Sequence, residues 1–516
     1  MKKILILLFC FIQSIHTIPW FGSKKTEKFH QSRDVIVNSV VQVNVYGAEI
    51  DAAEPYKISS QGRGSGSGFL FDERGCILTN YHVVRYAKVV TVCIPCFGQK
   101  EYDVRVKGIY PDLDVALLEL SSDDVCSIKD ELGFMPYIVF GDSDKVALGD
   151  DITLYGYPAG YPGLKSIKGD IRGFWYDNLV TSVGANPGNS GGPVLNQAGE
   201  VVGIYYKGNS DNVDNMTYAI PINYVRCVLD DMFLHPILYD PFFGYHTVSG
   251  NEAVTSYYKN PFSEGCFFVQ LAETSILFEA GIRNGDMLYM LDQYYVDSSG
   301  TIFVPWLQNR IGATEYVRSI SQGKTVRFVV YRLGREISFD IIVDRTKKSE
   351  GVRRFYQGYE KIDYEIFGGL VVMELSLDLV DYFRDHALGI AKYATSEKYR
   401  GKKVLIITKV FSNAPIYRSD VCLYAAIIES INGERVATLQ EYRQVIKDNI
   451  AQDNIAFQVK TTHQQGGFRA IIAIPVSTIM ENEPLFAKEN LYTMTSFTQS
   501  IVSILQQKSD ETKKTA

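Results

Sequence analysis

The chain has 516 residues, a formal net charge of −7 and 46% apolar residues. That length suits about three domains, and the apolar share supports ordinary packed cores. The charges are interspersed, so the basic face that a nucleic-acid partner requires is missing, and neither a Gly-rich phosphate loop nor a metal-ligand cluster occurs, so no cofactor and no metal is expected.

Read in chain order, the first feature is MKKILILLFCFIQSIHTIPW. Lys2 and Lys3 precede an apolar run from Ile4 to Ile12, and the polar Gln13 and Ser14 follow. This predicts a secretory signal peptide over residues 1–18; an uncleaved anchor is the rival reading. The run is too short for a comfortable membrane span, and no later apolar run approaches that length. The mature chain is expected to be periplasmic or secreted, without stable membrane insertion.

Residues 64–84 read GSGSGFLFDERGCILTNYHVV. A Gly/Ser run leads into a strand from Gly68 to Phe71, a turn from Asp72 to Gly75, a strand from Cys76 to Thr79, and then His82. Cys93-Ile-Pro-Cys96 follows; without a second pair, a nearby histidine or a βαβ context it reads as a loop with an optional local disulfide. Residues 108–120, GIYPDLDVALLEL, place Asp114 at the lip of a buried strand starting at Val115. Asp112, in the same turn, is expected to cap that turn through its side chain.

Residues 186–193 read Asn-Pro-Gly-Asn-Ser-Gly-Gly-Pro. Gly188, Gly191 and Gly192 permit a bend that presents the Ser190 hydroxyl and aims backbone N–H groups at a neighbouring point. A serine nucleophile needs both. The order histidine, aspartate, serine is that of chymotrypsin rather than of subtilisin or the α/β-hydrolases.

TNYHVV, DLDVALLEL, NPGNSGGPVLN, GEVVGI at 199–204 and YAIPINYV at 218–225 resemble the HtrA/Deg serine proteases. The resemblance implies His82 as general base, Asp114 as its orienting carboxylate and Ser190 as nucleophile, with an oxyanion hole from the N–H groups of Gly188 and Ser190. It also implies a homo-oligomer, a trimer or a multiple of one, with Trp20 and Phe21 contributing. Where the family usually carries Thr-Asp-Ala-Ala, this chain has Thr181-Ser182-Val183-Gly184, and residues 160–180 are shorter than usual. Ile204, Tyr205 and Tyr206 are expected to wall the specificity pocket. With no acidic residue there, a small or medium apolar P1 side chain is expected.

The protease domain is assigned to residues 19–234. Residues 240–345 look like a PDZ domain of the HtrA type, with Phe242, Phe243, Gly244 and Tyr245 as the loop holding a peptide C-terminus. Residues 346–358 read as a linker. Residues 359–480 look like a more divergent PDZ-like domain, with a loop at Ile366–Leu370 and a helical insertion near 376–400. Residues 481–516 are read as one helix to about residue 506 and a disordered tail from Lys508. The expected fold is multidomain: an all-β chymotrypsin-like double barrel followed by two mostly β PDZ-like domains. The expected function is ATP-independent endoproteolysis of unfolded or misfolded extracytoplasmic proteins; the alternative is a chaperone or adaptor that uses the same surfaces without significant cleavage.

Overall fold

The structure is a computed structural model describing residues 32–57, 61–184, 186–208, 216–262, 264–349, 351–418, 421–463 and 467–515. The expected signal segment, and Trp20 with Phe21, lie outside the described residues.

Six antiparallel strands close the first barrel: β1 (Val40–Ala48), β2 (Gln61–Leu70), β3 (Cys76–Thr79), β4 (Ala87–Cys93), β5 (Glu101–Tyr110) and β6 (Val115–Leu120), in the order β1-β2-β3-β6-β5-β4. A second barrel follows from β7 (Asp151–Gly156), β8 (Lys165–Trp175), β9 (Asn178–Thr181), β10 (Pro193–Leu195), β11 (Val201–Gly208) and β12 (Thr217–Pro221), in the order β10-β11-β12-β9-β8-β7. The first barrel is filled by β-branched and leucine side chains such as Val41, Leu70, Ile77 and Leu118, the second by Leu154, Leu179 and Val194. Each such fully buried side chain contributes about 1.5–3 kcal/mol. A third cluster, with Phe69, Leu117, Tyr157 and Ile220, glues the barrels together beneath the helix Ile222–Leu234.

The Gly/Ser run is itself strand. β2 begins at Gln61 and pairs residue by residue with β1. Smallness is required there: a Cβ on Gly66 would meet Val83 at 2.7 Å and the Ser190 carbonyl at 3.3 Å. The constraint is local to Gly66, since a Cβ on Gly64 would meet nothing within 4 Å.

Beyond the barrels lie two PDZ-like modules. In the first, strands Tyr245–Ser249, Cys266–Leu271, Met287–Leu291, Thr325–Arg332 and Arg335–Ile342 lie in that spatial order, and the helix Ala313–Arg318 shares their core. The short helix Ile276–Ala280 ends on Gly281 in the left-handed conformation, as its sequence predicts. In the second, Tyr364–Phe367, Leu370–Glu374, Leu405–Val410, Ile427–Ile431, Asn454–Lys460 and Arg469–Pro475 form the sheet. The insertion near 376–400 is helical, over Leu377–Phe383, Lys392–Thr395 and Glu397–Arg400. The C-terminal region departs from expectation. Two helices, Val476–Glu489 and Ser496–Thr515, replace one helix and a tail, and Ile479, Phe486 and Ile501 are buried in the second module's core. The helix runs through Lys508 because this seat orders its beginning.

Candidate active site

His82 sits in a one-turn helix, Tyr81–Val84, directly after β3. Asp114 follows the turn Pro111–Leu113 and has φ 57° and ψ 43°, a left-handed conformation that aspartate tolerates better than most residues. One main-chain and one side-chain bond join the two segments: Tyr81 N and Asn80 Nδ2 both donate to the Asp114 carbonyl, at 3.1 and 2.9 Å. The Asp114 carboxylate then grips His82 twice. Oδ1 accepts from the His82 main-chain N–H at 2.8 Å, and Oδ2 lies 2.7 Å from Nδ1. With Nδ1 engaged, the imidazole presents Nε2 outward, and the His82 side chain is 44% exposed.

Ser190 stands on the opposite barrel. Its hydroxyl donates to the Tyr206 carbonyl at 3.3 Å. That carbonyl is free for a local reason: β11 slips register against β12 between Tyr205 and Lys207, leaving Tyr206 as an extra residue. Bulges of this kind re-aim groups beside active sites. The loop that carries Ser190 is tied to both barrels. Ser67 N donates to the Ser190 carbonyl at 2.8 Å, and Gly191 N to the Tyr205 carbonyl at 2.9 Å. The Pro187 carbonyl accepts from Ala159 N at 2.5 Å. Because the peptide is trans, the Gly188 N–H points away from Ala159. Gly188, at φ 93°, has no space for a Cβ, which would collide with the Tyr157 carbonyl.

One participant was not legible as such. Ser67, fully buried, donates its hydroxyl to the Gly188 carbonyl at 2.7 Å and accepts from Tyr157 N at 2.9 Å. It holds the residue assigned to the oxyanion hole. The expected pocket wall also needs correction: Ile204 and Tyr205 are 0% and 2% exposed and belong to the cores, and of the three only Tyr206 is partly exposed. Asp112 does not cap its own turn. Its carboxylate accepts from Asp240 N at 2.9 Å and from the Tyr356 hydroxyl at 3.3 Å, tying the turn to later segments. Cys93 and Cys96 are both free thiols, one buried and one exposed.

Residues 66–204 match the family described as Trypsin-like peptidase domain. The chain is 26% identical over 396 residues to a "Probable periplasmic serine endoprotease DegP-like" of Marinomonas sp. (strain MWYL1), covering 74% of this chain and 74% of that protein. It is 26% identical over 441 residues to "Protease Do-like 2, chloroplastic" of Arabidopsis thaliana, covering 76% of this chain and 68% of that one. The chain carries a trypsin-like serine peptidase domain and is similar to the HtrA/Deg serine endoproteases. A serine endoprotease crystal structure from Yersinia pestis aligns with a TM-score of 0.43 at 20% identity, over 61% of this chain and 99% of that one.

The two PDZ-like modules present different faces. In the first, Tyr245–Ser249 is an edge strand, with His246, Val248 and Ser249 exposed. Phe243 is buried, Gly244 has φ 51°, and the Arg400 guanidinium stands 5.7 Å over the Phe242 ring. In the second, the equivalent edge is taken. Tyr364–Phe367 pairs antiparallel with Leu370–Glu374, and Arg443 on the helix Leu439–Asn449 holds it by ion pairs to Asp363 at 2.7 Å and Glu365 at 2.9 Å. At the loop, the Gly368 N–H donates to Glu483 of the helix Val476–Glu489. Glu483 is 0% exposed, and burial together with the nearby Glu365 charge raises its carboxyl to about 8. A carboxylic acid of the chain itself therefore meets the loop that would receive a peptide's C-terminus. Among the described residues, no helix is long and apolar enough to cross a membrane.

Proposed function

We propose that this chain is an ATP-independent endopeptidase that cleaves unfolded or misfolded proteins outside the cytoplasm through His82, Asp114 and Ser190. The observation that carries the reading is the 2.7 Å bond from His82 Nδ1 to Asp114, which fixes the tautomer and leaves Nε2 to act as base. Ser190 Oγ turns from the Tyr206 carbonyl toward Nε2, loses its proton there and attacks the peptide carbonyl. The N–H groups of Gly188 and Ser190 receive the oxyanion. The imidazolium, stabilised by Asp114, protonates the leaving amine, and water then hydrolyses the acyl-enzyme by the same route.

The first PDZ-like module serves as the substrate receptor. An extended peptide adds to the edge Tyr245–Ser249 and its carboxylate lies in the loop Phe242–Tyr245. The second module, with its edge already paired, serves as a scaffold. The "periplasmic" in one relative's name and the N-terminal charge pattern support a periplasmic or secreted location. Assembly as a trimer, or a multiple of one, completes the proposal.

Casein digestion by the wild type, set beside Ser190→Ala, tests the chemistry: equal turnover by both ends the assignment, and aggregation suppression that persists in the variant supports the chaperone alternative. Capture is tested with a labelled peptide carrying a free C-terminus and with its amide. Equal binding of the two excludes the carboxylate loop.

A further inference from the structure

The helix carrying His82 is four residues long, and its N-cap Asn80 makes no side-chain capping bond. One turn of helix has little stability of its own. The Asp114 turn is equally short and ends in a left-handed residue. Locally, the β3–β6 ladder, which pairs Thr79 with Ala116, and the bonds around the Asp114 carbonyl and carboxylate hold these two pieces together.

A segment some 240 residues further along the chain contacts both. The Tyr359 hydroxyl donates to the Val84 carbonyl at 3.0 Å, an orphan acceptor at the end of the His82 helix. The Tyr356 hydroxyl donates to both oxygens of Asp112, each at 3.3 Å, two residues before Asp114. Between them lies the ring of Tyr81, immediately before His82, with centroids 5.9 Å from Tyr356 and 6.1 Å from Tyr359. Tyr81 and Tyr356 are each only 7% exposed, whereas Tyr359 is half-buried and Asp112 lies at the surface. The segment is anchored in turn to the second PDZ-like module, where Phe355 N donates to Asp378 at 2.7 Å, and to β1's exit, where Gln357 bonds Ile50 through both its amide atoms at 3.0 and 3.1 Å.

We propose that Tyr356 and Tyr359 are positioning residues for the peptidase reaction: the segment between the two PDZ-like modules braces the His82 helix and the Asp114 turn in register. The proposal rests on the catalytic reading of His82 and Asp114 given above. Neither tyrosine touches substrate. Their effect reaches the reaction only through the geometry of the imidazole–carboxylate pair, where a displacement of about 1 Å can cost about a hundredfold in rate. Because the brace hangs on Asp378, the seat of the second module and the alignment of the site are one mechanical unit.

The test uses the full-length Tyr356→Phe/Tyr359→Phe double variant, which keeps every ring contact and removes only the hydroxyls. Its kcat on a fluorogenic peptide falls between about tenfold and about a hundredfold with little change in KM. In parallel, the downfield proton resonance of the His82 Nδ1–H broadens or shifts, a signature that loss of stability alone does not produce in the folded fraction. Unchanged kcat with an unchanged resonance overturns the brace, as does lost activity with an unchanged resonance. Should the double variant fold poorly, Tyr359→Phe alone decides by the same two readouts. Ser190→Ala separates this idea from its foundation: if that variant still cleaves peptide, the triad reading fails, while the resonance still reports on the brace.

Discussion

Ser67→Ala isolates the coupling between β2 and the nucleophile loop. The substitution removes one oxygen from a fully buried position and leaves two main-chain groups behind: the Gly188 carbonyl, which loses a donor at 2.7 Å, and the Tyr157 N–H, which loses an acceptor at 2.9 Å. A stranded buried polar group costs about 1–3 kcal/mol. The two are neighbours and so not additive, which sets the loss of stability at about 2–5 kcal/mol. A domain with ordinary stability of about 5–15 kcal/mol remains folded. The catalytic loss is separate. Gly188 gives its carbonyl to Ser67 and its N–H to the proposed oxyanion hole, so a freed carbonyl lets that donor swing. Loss of one such donor costs about 10²–10³ in kcat. Steady-state kinetics on a short fluorogenic peptide and urea unfolding of the same preparation measure the two effects. A variant with wild-type kcat and wild-type unfolding midpoint refutes the reasoning, and full destabilisation with intact kcat refutes its catalytic half.

Asp114→Asn keeps the shape but favours the wrong imidazole tautomer; kcat falls by as much as ~10⁴, and a loss under about tenfold removes Asp114 from its role. Arg318→Leu strands Asp177 and Asp240, now paired with it at 2.9 and 2.7 Å and both mostly buried. The cost is about 3–5 kcal/mol, read as a lowered guanidinium midpoint; no change means the first module is not fastened to the barrels there. For Glu483, the unfolded chain releases its proton near the ordinary 4.5, whereas the folded chain keeps it to about 8. The stability from this group is therefore full below the lower value and declines as pH rises through the upper one. Glu483→Gln flattens that slope, measured as melting temperature between about pH 5 and about pH 8.5, and parallel curves for both proteins count against it.

What could be read from the sequence was what local pattern fixes. β3 and β6 begin and end where their apolar runs do, because each run is bounded by a turn and fills a barrel interior. The positions of His82 just after β3 and of Asp114 just before β6 follow from the same segments. The partners reached across the chain were hidden. The Gly/Ser run has no alternating apolar side chains, so neither its strand nor the buried hydroxyl of Ser67 announces itself. Asp112 looks like any turn aspartate, since Asp240 and Tyr356 lie 128 and 244 residues away. Their place directly after Gly203 suggests that Ile204 and Tyr205 wall a pocket, but both side chains pack into the cores. The two C-terminal helices share the apolar spacing of a single one, and only the break after Glu489 and the docking of Ile501 separate them.

The helices from Val476 onward act as a stopper in the second module. Phe486 seals its core from below, while Glu483 closes the glycine loop at the rim. Trimming the chain at Pro475 therefore does not unmask a second receptor ready for peptides. It bares an oily floor whose entrance strand is still occupied, and the shortened protein gains stickiness without gaining selectivity. For the same reason a fusion partner is better carried on a spacer after Ala516 than grafted in place of these last two helices.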